Sequence, residues 1–221
     1  MRVSRIQAEE NRQKVIDVAS QLFREHGFDG IGLKELMKGA GLTQGAFYKQ
    51  FASKADLAAQ ASTRALENGY RRWSDAAASD PEDPLGAVIA FYLSSAHRAE
   101  RMNGCPIAAL GSDAARQDAD VKASFEAGIR QDLAMLERFM GGSAGAARAG
   151  RAMAALSTMV GAVILSRAVN DADLAQHFLD AATDQVRAVA VAKGSAARRS
   201  SEGKRRRTSR QKASTRRHVG D

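Results

Sequence analysis

The residues with the most specific chemistry lie within a short stretch: Thr43, Gln44, Gly45, Tyr48, Lys49 and Lys54. A threonine at a helix start, with its hydroxyl beside free backbone N–H groups, suits a phosphate oxygen. A glutamine on the following turn can pair with an adenine edge, and Gly45 with Ala46 keeps the surface thin enough for the backbone to approach a groove floor. Tyr48 and Lys49, one turn on, and Lys54 at the next helix start can reach flanking phosphates. Phosphate contacts set position, so only residues 44–46 are placed to read bases.

No rival chemistry of comparable specificity stands elsewhere. Residues 141–145 spell Gly-Gly-Ser-Ala-Gly, a textual match to the G-x-S-x-G nucleophile elbow, yet they fall between two helices with no strand to present the serine. His26, His97, His177 and His218 are scattered without metal-ligand spacing and read as surface or partly buried imidazoles. The expectation is therefore a protein without catalytic residues, metal or cofactor. Cys105 precedes Pro106 at a predicted first helical position, where the helix dipole favours a thiolate and Arg101 could add to the effect. A small buried hydrophobe in a pocket wall is the competing reading of the same cysteine. Phe91, Met102, Cys105, Phe125, Ile129, Met159 and Val163 fall on predicted inward faces and are the candidate lining of an apolar cavity, although such stripes also describe plain core.

Helices must position all of these residues. Val15, Val18, Ala19, Leu22 and Phe23 repeat at helical spacing and stop at Gly27. Leu33, Leu36, Met37 and Ala40 mark a helix of barely two turns, ended by Gly41. Thr43 is the expected cap of a third short helix with Phe47 and Phe51 inward, and Ser53 that of a fourth running to about Ala78. Asp80-Pro81-Glu82-Asp83-Pro84 breaks the chain. Leu85, Val88, Ile89, Tyr92, Leu93 and Ala96 then keep one helical phase up to the interruption at Asn103-Gly104-Cys105-Pro106. A short apolar segment follows at residues 107–110, then long amphipathic helices around Val121 to Met140, over 144–168 and over 171–192.

Two short helices joined by Lys38-Gly39-Ala40-Gly41-Leu42, with a preceding helix to pack on, form a helix-turn-helix. Residues 28–57 resemble the DNA-binding domain of the tetracycline-repressor (TetR/AcrR) family, most specifically in Tyr-x-x-Phe-x-x-Lys-x-x-Leu, here Tyr48, Phe51, Lys54 and Leu57. The resemblance implies phosphate contacts from Thr43, Tyr48 and Lys54, with Gln44, Gly45 and Lys49 in or beside the major groove. It implies that the larger half binds a small-molecule effector, apolar or electrophilic, and that the last two helices form a homodimer on palindromic double-stranded DNA. Relatives with a Gly-Cys segment in this region sense electrophiles or oxidants, which the resemblance permits for Cys105. Gly32 stands where the family usually places a Ser or Thr cap, which puts one phosphate contact in doubt. Gly150, Ala154 and Gly161 would let the last two helices approach a partner closely, or simply pack within the chain.

Composition bounds the remaining classes. The chain has 221 residues, 44% hydrophobic and only 5% aromatic, with 3 prolines, which favours helix and argues against an all-β fold. One cysteine and an N-terminus without an apolar run point to a cytoplasmic protein. The uncharged stretch 152–166 is too short for a bilayer span, so no membrane partner is expected. Residues 193–221 carry eleven Lys/Arg against Glu202 and Asp221, so the net charge of +8 belongs to the tail and residues 1–192 sum to −1. The expected architecture is all-α. Residues 1–53 form the helix-turn-helix domain, 54–83 a connecting helix with a proline-containing link, 84–192 the effector-binding and dimerisation domain, and 193–221 a disordered basic tail. The functional expectation is a ligand-responsive repressor; the alternative is a nucleoid-associated protein led by its tail.

Overall fold

The structure, a computed structural model, describes residues 5–142 and 144–191. The basic tail and Ser143 of the Gly-Gly-Ser-Ala-Gly stretch lie outside the described residues. Among the described residues every regular element is helical: α1 Arg5–His26, α2 Leu33–Gly39, a 3₁₀ helix Gln44–Lys49, α3 Lys54–Ser79, α4 Pro84–Tyr92, α5 Ser95–Ala99, α6 Pro106–Ala114, α7 Ala119–Phe139, α8 Ala146–Ala168 and α9 Ala172–Val191.

Most boundaries have visible local causes. Ser53 accepts a hydrogen bond from the Asp56 backbone N–H (3.0 Å) and starts α3, and Asp83 does the same for Gly86 (2.9 Å) ahead of Pro84 at the first position of α4. Gly41 has φ +74°, the left-handed conformation that closes the turn after α2. A Cβ at Gly39 would sit 2.9 Å from Val18, so glycine there lets α2 lie directly on α1.

Two expectations fail. The apolar phase through Leu85, Val88, Ile89, Tyr92, Leu93 and Ala96 does not continue as one helix: α4 ends at Tyr92, and Ser94 caps the separate α5 by accepting from the His97 N–H (3.0 Å). Periodicity could not see this because the serine offers the backbone a local alternative partner. The element after Thr43 is a 3₁₀ helix, and Thr43 holds its N-cap position with extended backbone but makes no capping hydrogen bond.

The apolar residues form two clusters. One gathers Phe23, Phe28, Leu36, Met37, Phe47, Phe51 and Leu57 and is closed by Leu110, Ala114, Val121 and Phe125 from α6 and α7. The other joins Trp73, Val88, Ile89, Tyr92, Met135, Leu136, Met159, Val163, Leu179 and Val186. Each fully buried Leu, Phe or Met contributes about 1.5–3 kcal/mol of apolar transfer. The first cluster therefore draws on both ends of the molecule, with α6 and α7 completing the core beneath the helix-turn-helix.

Candidate nucleic-acid interface

Phe47 anchors the helix-turn-helix from below. It is fully buried, stacks on Phe51 at 5.4 Å and meets Tyr48 edge-on at 5.1 Å. With the apolar face of so short a helix held inward, its other residues must face outward. Thr43, Gln44, Gly45, Tyr48 and Lys49 are all exposed, Tyr48 at 69%, and Lys54 is half-buried at the start of α3. No atom lies within 4 Å of where a Gly45 side chain would begin, leaving open space above the backbone. These six residues therefore reach solvent along the outer side of the helix-turn-helix, as do Lys34 and Lys38 of α2. The missing cap at Gly32 is real, since α2 begins with no side-chain hydrogen bond.

The candidate effector residues do not form one group. Phe91 and Cys105 line a cavity of about 20 Å³ together with Leu66, Gly69, Arg72, Trp73, His97, Asn103, Gly104, Pro106 and Asp132. Met102 is exposed, Phe125 belongs to the cluster beneath the helix-turn-helix, Ile129 lines an outer groove between α6 and α7, and Met159 and Val163 are fully buried in the second cluster.

Several polar residues around this cavity escaped sequence reasoning. His97, read from the sequence as a surface or partly buried imidazole, is 4% exposed. Its Nδ1 lies 2.6 Å from the Tyr92 carbonyl oxygen and its Nε2 accepts the Cys105 backbone N–H at 3.1 Å. A carbonyl cannot donate, so the proton sits on Nδ1 and the ring is neutral. Burial pushes its pKa below the ordinary histidine value. Asp132 is the one whose signal stands in the sequence: a carboxylate in phase with Phe125 and Leu136 on the apolar face of α7. It has no hydrogen-bond or ion-pair partner among the described residues, and burial raises its carboxyl pKa to about 7.

Of the two readings of Cys105, its surroundings match the small buried side chain in a cavity wall. The side chain is buried and accepts from the Ala108 N–H (3.5 Å), and burial pushes the thiol pKa up. Arg101 faces Glu25 at 3.9 Å instead of the sulfur. The Tyr92 hydroxyl lies beside the thiol without closing a well-formed hydrogen bond.

The loop between α5 and α6 ties this cavity to the helix-turn-helix. Arg24 of α1, buried and with its pKa lowered by that burial to about 10, donates to the carbonyl oxygens of Ser20 (2.9 Å) and Gly104 (3.2 Å). Gln21 reaches Asn103 at 3.1 Å. Asn103 and Gly104 are themselves cavity wall, so the wall and α1 share a backbone segment.

Fold and outward residues together define a class: a helix-turn-helix unit seated on a larger helical domain. Residues 15–61 match the family model described as bacterial regulatory proteins, tetR family. The regulator AcrR of Shigella flexneri is 34% identical over 87 residues, 39% of this chain and 40% of that protein. The repressor NemR of Escherichia coli strain K12 is 24% identical over 132 residues, 58% of this chain and 66% of that protein. The chain thus spans less than two thirds of the length of these curated relatives. The crystal structure of E. coli NemR in its reduced form shares the fold, with TM-score 0.66 at 20% identity over 80% of this chain and 95% of that one. The match assigns residues 15–61 to the tetR family of bacterial regulatory proteins, and the fold of the whole is shared with solved regulators of that family.

Proposed function

We propose that this protein is a transcriptional repressor that binds a palindromic operator as a homodimer and is released by a small-molecule effector. The observation that carries the reading is that Thr43, Gln44, Gly45, Tyr48, Lys49 and Lys54 reach solvent while Phe47 is fully buried. Taken as one ridge, they fit a major groove, with Gln44 to a base and Thr43, Tyr48, Lys49 and Lys54 to the backbone. The division of labour follows residues 1–53, 54–83 and 84–192.

Dimerisation is supported by the outer face of α8 and α9. Met153, Ile164, Leu165 and Leu174 are large apolar side chains left exposed there, and nothing lies within 4 Å of a Cβ at Gly150 or Gly161. Helix α8 is long and apolar enough to cross a membrane. Its buried face packs Ala155, Met159 and Val163 into the second cluster, so its uncovered face is better explained by a second copy of the chain in a soluble cytoplasmic regulator. A two-fold pair places two ridges about 34 Å apart on the DNA.

An effector acts by preferring the arrangement in which those ridges are mis-spaced. The contacts from Arg24 to Gly104 and from Gln21 to Asn103 provide the route, because a change in the cavity wall moves the end of α1. A coupling of about 1–3 kcal/mol weakens operator binding roughly 5–150-fold.

Selection of bound sequences from a random DNA pool tests the reading. The expected result is one palindrome whose half-sites are a helical turn apart, obtained equally with the full chain and with one ending at residue 193. The concentration of positive charge in residues 193–221 favours a second reading, sequence-independent binding led by the tail. Loss of all enrichment on truncation would select it.

A further inference from the structure

The cavity beside Cys105 contains a charge with no counterpart. Asp132 is 9% exposed, lines the cavity and has no hydrogen-bond or ion-pair partner among the described residues. The guanidinium groups nearby are committed elsewhere. Arg72 pairs with Glu100 (2.7 Å), also donates to the Asn103 carbonyl oxygen, and lies 4.9 Å from the Phe91 ring centroid. Arg24 is bonded to Ser20 and Gly104, and Arg167 donates to the carbonyl oxygens of His97, Arg98 and Glu100 at 2.9 Å each. None of the three neutralises Asp132, whose carboxyl responds to burial alone.

Around that carboxylate the wall is apolar and aromatic: Leu66, Trp73 and Phe91. The Tyr92 hydroxyl, itself buried and unpaired, is within electrostatic reach of Asp132 and has lone pairs to offer. A buried carboxylate without a partner is costly, and a fold keeps one cheaply only when something pairs with it. We propose that the cavity takes an aromatic or hydrophobic organic cation, its ammonium nitrogen against Asp132 and its apolar body between Trp73 and Phe91. This rests on the regulator reading and names the effector's chemical class. Aromatic faces add to the binding of a cation held against them.

The resting cavity, at about 20 Å³, has room for about one water. Entry therefore requires the half-buried Phe91 and Arg72 to move apart from the outer wall, and Arg72 is the residue holding Asn103 and Glu100. The ligand opens the same loop that Arg24 and Gln21 grip from α1.

Trp73 is the single tryptophan of the chain and lines the cavity, so its fluorescence reads occupancy without DNA. The probes are 3-phenylpropylammonium and its neutral isostere 3-phenylpropanol, titrated into the full-length protein at pH 8. The ammonium ion is expected to bind at least about tenfold more tightly than the alcohol, and Asp132→Asn to remove that preference. Equal affinities for the two probes in the unaltered protein, no fluorescence response to either, or a preference that survives Asp132→Asn would each overturn the proposal. The wild-type comparison stands even if the variant fails to fold. Operator selection is run without ligand, so failure of the regulator reading is detected separately.

Discussion

The two ends of this molecule are built by different rules. In the helix-turn-helix unit the informative residues sit close together in sequence and each acts locally: Gly41 turns the chain, Ser53 caps α3, and Phe47 with Phe51 fixes which face points inward. Around the cavity the residues come from α3, α4, α5, α6 and α7, and their roles depend on one another. His97 is neutral because of where Tyr92 and Cys105 place their backbone atoms; Cys105 is a thiol because it is buried. A surface that meets a long regular polymer can be written in a short segment. A cavity that closes around a small molecule needs walls on every side.

The contrast can be broken most severely at Phe47. Phe47→Ala removes the anchor of the ridge and is expected to cost about 3–5 kcal/mol, with operator binding lost alongside. Urea denaturation and gel-shift titration check this, and retention of full affinity would mean the ridge does not need its core.

Asp132→Asn tests the opposite end with the opposite sign. Its carboxyl pKa is raised from 3.8 to about 7 in the folded protein, so its contribution is fully present below about 3.8 and is lost as pH climbs towards 7. The neutral variant escapes that loss. Its gain in stability should grow between pH 4 and 7 and then level off, at no more than about 4 kcal/mol. Urea midpoints at pH 5 and pH 8 decide it, and an equal gain at both would refute an ionising Asp132.

Three smaller effects sharpen the assignment of the ridge. Gln44→Ala should change preference at one base pair of each half-site by about 1–3 kcal/mol, seen as relaxed selection at that position alone. Lys49→Ala and Lys54→Ala should each weaken all sequences nearly equally and lower the salt slope by about one, with thermal stability unchanged. Ending the chain at residue 193 should flatten the salt dependence further while leaving the selected sequence the same. A shift in that sequence would assign base reading to the tail.

The legibility of the two regions follows from their construction. Tyr48, Phe51, Lys54 and Leu57 lie close together in sequence, across the end of the 3₁₀ helix, the following loop and the first turn of α3, and the structure keeps Phe51 and Leu57 buried and Tyr48 exposed. Helix periodicity likewise located α1, α3, α7, α8 and α9 to within a few residues. The cavity was not readable in the same way. Phe91 and Cys105 reach it, whereas Met159 and Val163, equally apolar and equally in phase, end in solid core, because periodicity reports the inward face without saying what lies opposite. Asp132 went unread, although it is a charge interrupting the apolar stripe of α7, a local conflict of the kind that marks function.

Turn glycines, caps and the 3.6-residue repeat act over a few positions, so the amino-acid order alone determined an all-helical chain with an exposed basic ridge ahead of a larger apolar domain. Which imidazole is neutral, which thiol is silenced, which carboxylate lacks a partner and which backbone segment joins cavity to ridge were decided only by tertiary structure. Burial and hydrogen bonding are set by neighbours tens of residues away, and a charge acquires its meaning from what surrounds it.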